Sequence, residues 1–216
     1  MSAEERWLPL FPLNTVLFPG GALPIQVFED RYKLMIQHCL EGDKSLGIIL
    51  IKSGSEVGEP ATPYSTGTMC EVVQTSDMED GRMLVSVAGK QRFHIKQITQ
   101  TQPYMGADVD LLDDFSDEWV PPTEMDAIRG AVGRHINLAI GLRGGWQGTV
   151  ETASSPVSLS YFIAGMLQAD LKEKQALLEE PSPAKRLELE LDLLRRESDA
   201  MKRRVASEFR SRFSRH

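Results

Sequence analysis

The 216-residue chain has little sulfur chemistry to offer, with two cysteines, Cys39 and Cys70, and no Cys-x-x-Cys spacing. That scarcity argues against a disulfide scaffold or a zinc site, and a reducing cytoplasm is the expected location. Each cysteine falls in an apolar pattern, which predicts plain burial. Long hydrophobic runs are missing as well. No stretch approaches the roughly 18 apolar residues needed to cross a bilayer, so no membrane partner is expected. Met1-Ser2-Ala3-Glu4-Glu5-Arg6 places acids where a signal peptide needs positive charge. A phosphate-cradling loop is lacking too. Gly89-Lys90 has neither the upstream glycine nor the following Ser or Thr of G-x-x-x-x-G-K-[ST]. His38 and His135 sit in helical patterns with no ligand partner at i+4. The sequence therefore predicts no enzyme: no catalytic residue, no metal and no cofactor.

Positive charge is scarce in the body of the chain. The whole carries 24 Lys and Arg against 31 Asp and Glu, a net charge of −7. The last 32 residues hold 10 of those bases and 6 of those acids, giving a basic tail of +4 on a body of −11. An acidic body works against binding a phosphate backbone, so nucleic acid is not the expected partner.

The most distinctive segment runs from Leu8 to Gly21, apolar but broken by three prolines and two glycines. It predicts two short buried strands joined by tight turns, with Pro19-Gly20 at the centre of a type II turn. Beyond it, Leu23, Ile25 and Val27 alternate as a half-buried strand. Tyr32, Met35, Ile36, Cys39 and Leu40 mark one face of a helix over 29–40. Leu46 to Ile51 predicts a strand buried on both faces, and 52–66 a loop. Strands follow at 68–74, after the Asp80-Gly81 hairpin turn, and at 107–111. Ala88-Gly89-Lys90 predicts a further turn, leading into Arg92-Phe93-His94-Ile95, with Arg92 and His94 on a solvated face. The acidic stretch 113–124, with Pro121-Pro122, predicts the boundary between a β-rich subdomain (1–118) and a helical bundle (119–216). In the bundle, Met125, Ile128, Val132 and Ile136 form one stripe, and Leu159, Phe162, Ile163 and Met166 another. Asp170 with Glu173 predicts a capping box. Ser182-Pro183 opens the longest helix, whose seam of Leu187, Leu191, Leu194, Ser198, Met201, Val205 and Phe209 is apolar except at Ser198.

Specific residues carry a family resemblance. They are Leu8-Pro9-Leu10-Phe11-Pro12, Asn14-Thr15-Val16-Leu17-Phe18-Pro19-Gly20, Phe28-Glu29-x-Arg31-Tyr32, Gly47-Ile48, Gly67-Thr68, Asp80-Gly81-Arg82 and Arg92-Phe93. In the helical half, Gln175-Ala176-Leu177-Leu178-Glu179 and Arg186-Leu187-Glu188 match too. The chain resembles the N-terminal, substrate-recognition domain of Lon-type ATP-dependent proteases, in the bacterial form that stands alone without ATPase or peptidase modules. The resemblance implies an α+β fold: a PUA-like β pseudo-barrel with one helix, then a helical bundle. It also implies a non-catalytic module that recognises unfolded or client polypeptide. Such a module serves as an adaptor in protein quality control, with a homo-oligomer, a protease or an ATPase as further partner. The alternative is a PUA-like RNA-binding module using Lys90, Arg92, His94 and Lys96 with the basic tail. A hydrolase is a third reading, supported by the family's protease name alone. Trp146, among glycines, is the candidate aromatic anchor for polypeptide, against a core-covering role. Glu29 and Arg31 are candidates for the same surface, against a simple local ion pair.

Overall fold

Period-2 burial along the N-terminal half builds a barrel, and period-3.6 burial builds the helices beyond it. The computed structural model describes residues 5–58, 61–115, 118–142 and 153–213, with side chains described as far as 207. In chain order the elements are β1 (Glu5–Leu13), β2 (Ala22–Val27), α1 (Asp30–Glu41), β3 (Ser45–Ser53), β4 (Thr62–Pro63), β5 (Thr66–Asp77), β6 (Met83–Gln100) and β7 (Met105–Leu112). The helices α2 (Pro122–Leu142), α3 (Pro156–Met166), α4 (Leu171–Glu179) and α5 (Pro183–Phe213) follow. The fold is α+β. Two compact units emerge: Met1–Asp114 with Asp170–Pro181, and Phe115–Ala169 with Ser182–His216. The sequence places 170–181 in the helical half, whereas α4 packs within the barrel unit.

In that unit the sheet runs β1-β7-β6-β5-β3 and returns to β1 by the parallel β1–β3 pairing, which closes the ring. The other pairings are antiparallel, and β2 lies along the first half of β6. Leu8, Leu10, Ile49, Phe93, Ala107 and Val109 fill one core. A second core gathers Met35, Ile36 and Cys39 of α1 with Leu46, Ile48 and Val87. Burying each such side chain contributes about 1.5–3 kcal/mol.

The opening apolar block yields one strand, not two. β1 ends at Leu13, and Leu17 and Phe18 are buried without strand pairing. The expected turn is present: Gly21 N–H donates to Phe18 O at 3.0 Å and Gly20 has φ +79°. Two backbone hydrogen bonds then stitch this loop to β6, Gly20 N–H to Gly89 O (2.9 Å) and Gly89 N–H to Gly21 O (2.8 Å). Gly89 is accordingly not a turn. It lies within the unbroken strand β6, and a Cβ there would meet Phe18 O at 2.6 Å. The glycine answers a close backbone approach rather than a reversal of the chain.

The capping residues sit where the sequence puts them. Asp170 and Glu173 complete the capping box of α4, and Ser182 Oγ accepts from Lys185 N–H at 3.1 Å; Ser155, which the sequence reading did not single out, caps α3 by accepting from Ser158 N–H. Along α5, Leu187 and Leu194 are buried, and Ser198 bonds His135 Nδ1 of α2 at 2.9 Å. The one polar position in the seam thus has a polar partner. Among the described residues no helix is long and apolar enough to cross a membrane.

Candidate polypeptide-binding surface

The alternation of β2 ends by turning an aromatic outward. Ile25 and Val27 point into the core, so Phe28, one residue further, faces solvent and is 51% exposed. Glu29 then stands at the N-cap of α1, where its carbonyl accepts from Tyr32 N–H and Lys33 N–H, both at 3.0 Å. Its side chain makes no cap bond. It turns instead to Arg31, accepting from Nε at 3.0 Å and Nη2 at 2.9 Å. The Arg31 guanidinium lies 4.5 Å over the Tyr32 ring, which stacks on Phe11 of β1 at 4.2 Å. Burial pushes the Tyr32 phenol up, with Arg31 opposing and Glu29 and Glu56 adding to the rise. Glu56 also accepts from the backbone N–H of Asn14.

The structure therefore brings Glu29 and Arg31 together, with Nε and Nη2 both donating to Glu29 Oε2, and holds the pair against an aromatic stack. The two side chains are about one-fifth exposed, at 20% and 21%. Trp146, the third sequence candidate, lies outside the described residues. Sequence reasoning missed Phe28 as a site residue, although the parity of β2 points it outward. It also missed Trp119, which is 75% exposed in the helical unit. The neighbouring Glu118 accepts from Ser182 Oγ at 2.7 and 2.9 Å and from Ala184 N–H at 3.1 Å, which ties that segment to the start of α5.

The basic strand reads differently once its neighbours are known. Arg92 is not solvated; it is 1% exposed, because α4 covers the outer face of β6 at this point. Nη1 donates to Leu178 O (3.1 Å) and Glu180 O (3.4 Å), while Nη2 donates to Asp113 O (3.0 Å) and pairs with Asp114 (3.1 Å). Lys90 pairs with Glu71 at 2.7 Å, and Lys96 with Glu5 and Asp110. Each cation of the cluster meets a carboxylate of its own chain, which leaves His94 exposed beside neutralised charge. In the tail, Lys202 pairs with Asp199 at 3.1 Å, while the side chains of Arg210, Arg212 and Arg215 lie outside the described residues.

Nucleophilic chemistry is suppressed at the cysteines. Burial pushes the Cys39 thiol up to about 11 and the Cys70 thiol up to about 12. His38 Nδ1, beside Cys39 in sequence, is engaged by Tyr104 Oη at 2.7 Å. What this half presents to a partner is shape, the outward aromatics Trp7 and Phe28 (43% and 51% exposed) and a fixed charge pair.

A closed barrel carrying one helix, followed by a long C-terminal helix, is the architecture of Lon N-terminal domains. The Lon N-terminal domain protein from Xanthomonas campestris shares it, with a TM-score of 0.67 at 24% identity over 85% of this chain and 95% of that one. So does the N-terminal domain of Mycobacterium avium complex Lon protease, with a TM-score of 0.59 at 18% identity over 88% and 98%. Residues 7–196 match the ATP-dependent protease La (LON) substrate-binding domain, and the chain belongs to that family. Lon protease 2 of Myxococcus xanthus is 30% identical over 199 residues, 90% of this chain. Lon protease of Anaeromyxobacter dehalogenans is 28% identical over 201 residues. The chain spans 24% of the length of each of these two relatives.

Proposed function

We propose that the chain is a non-catalytic polypeptide-recognition module that binds unfolded or client protein from the rim of its barrel. It acts in the cytoplasm as an adaptor in protein quality control, beside a protease or ATPase partner or a second copy of itself. The observation that carries this reading is Phe28, exposed beside the Glu29–Arg31 pair in a family described as substrate-binding. An aromatic on a rigid base contributes apolar contact area with little entropy to lose, and the fixed pair offers a polar rim. Trp146 is a further anchor in this proposal. Arg92, the centre of the basic strand, is buried under α4 and out of reach of a phosphate, which speaks against the RNA-binding alternative.

Fluorescence anisotropy with a labelled, permanently unfolded polypeptide and with a structured RNA hairpin, each over a salt series, tests the reading. Polypeptide binding is expected, weakened at least about fivefold by Phe28→Ala or Trp146→Ala, each with a melting temperature within about 2 °C of the parent. RNA binding tighter than about micromolar with a steep salt slope would overturn it.

A further inference from the structure

Helix α2 has two apolar faces, and the helical unit covers one of them. Met125, Ile128, Val132 and His135 are buried. Ala127, Ala131 and Leu138 instead line an open groove of about 640 Å³, whose other wall is Leu191, Leu194 and Ser198 of α5. The alanines keep the floor shallow enough for another backbone to approach. The rim is basic, with Arg134, Arg195 and Lys202 against Asp199. Arg195 and Lys202 make exposed i,i+3 pairs with Asp192 and Asp199, contacts that contribute little and are easily exchanged.

We propose that this α2–α5 groove seats an acidic amphipathic helix of a partner protein. Ala127 to Leu138 spans about 16 Å of helix, or three turns, the reach of an i, i+3, i+4, i+7 set of apolar anchors. Both walls are mid-helix segments, whose backbone groups are engaged within their own helices, so the groove offers no edge to an extended strand. Side chains must do the recognising, and a helix presents them in rows that fit such a channel. Acidic flanks of the incoming helix meet Arg134, Arg195 and Lys202. This site is separate from the barrel rim and takes a structured partner rather than an unfolded client.

The probe is a stapled helix of about 18 residues, with leucines at the i, i+3, i+4, i+7 anchors and glutamates on its flanks. A second probe carries lysine in place of each glutamate. Calorimetric titration of the full chain is expected to give at least about tenfold tighter binding of the acidic probe, a gap that narrows as salt rises. Ala131→Trp fills the groove and weakens the acidic probe at least about tenfold. The double variant Arg134→Glu/Lys202→Glu, confined to exposed positions, does the same and improves the lysine probe. Neither variant changes the anisotropy titration with unfolded polypeptide, which keeps failure here distinct from failure at the barrel rim. Equal affinity for the two probes overturns the proposal, as does wild-type binding of the acidic probe by the charge-reversed protein.

Discussion

The guanidinium of Arg92 donates to the backbone oxygen of Leu178 at 3.1 Å, joining positions 86 residues apart in sequence. With Glu180 O and Asp113 O as further acceptors and Asp114 as ion-pair partner, one buried side chain holds α4 on the barrel. Gln175 of α4 adds a second tie, donating to Thr66 O of β5 at 3.0 Å.

Replacing Arg92 with methionine keeps the apolar stem but strands these acceptors and the Asp114 carboxylate. A loss of about 3–5 kcal/mol is expected, read as a fall in the denaturation midpoint at unchanged slope. Arg92→Lys should recover little, since a single ammonium cannot serve acceptors on both Nη atoms at once. Near-parental stability of the methionine variant would show that α4 is held without the Arg92 bonds.

Two glycines of the stitched loop should respond differently to alanine. Gly89→Ala drives a Cβ into Phe18 O at 2.6 Å and strains both hydrogen bonds to the loop, so a loss of about 2–3 kcal/mol is expected. Gly20→Ala meets open space, and its cost is the positive φ alone, about 1 kcal/mol. Thermal melts of the pair check the order. Equal losses would mean that the close approach at Gly89 relaxes without cost.

Glu190 of α5 is buried, accepting from Ser160 Oγ at 2.9 Å, and Ser160 Oγ in turn accepts from Arg186 Nε at 2.8 Å. Burial pushes its carboxyl up to about 8, against the opposing pull of Ser160 and Arg186. A carboxyl that holds its proton more tightly in the fold than in the unfolded chain stabilises fully below its ordinary value of 4.5. That contribution shrinks as pH rises above 4.5 and is gone once pH passes about 8. Glu190→Gln, neutral throughout, should flatten the decline in melting temperature between about pH 4.5 and pH 8. Parallel curves for parent and variant across that window would show that the carboxylate is charged in the fold.

The thiols give a kinetic readout. With Cys39 and Cys70 pushed up to about 11 and about 12 by burial, the folded protein should react with a disulfide reagent only as it opens. Full labelling is expected in denaturant. Fast labelling of either cysteine in the native protein would contradict its burial.

The sequence made the local features of the fold legible and left the long-range ones out of view. Period-2 and period-3.6 patterns located strands and helices, and Asp170, Glu173 and Ser182 marked helix starts because capping chemistry is local. Gly89 looked like a turn because glycine has more than one use, and only the folded chain shows Phe18 O against it. Arg92 looked solvated because parity assigns a side of a strand without saying what covers that side. Here α4, some 80 residues on, supplies the cover. At the rim, Glu29 and Arg31 were readable as a pair from their spacing. Phe28 and Trp119 were passed over because exposure of a lone aromatic has no sequence signature beyond strand parity.

The closure of the barrel also has a consequence in time. β1 pairs with β7 from Glu5↔Asp110 to Leu10↔Met105, so β1, once synthesised, waits for a strand made about a hundred residues later. At roughly 5–20 residues per second that interval is some 5–20 seconds. The parallel pairing of β1 with β3 becomes available much sooner, through the α1 crossover. A nascent chain can therefore shelter one edge of its apolar first strand while the other stays open to chaperones.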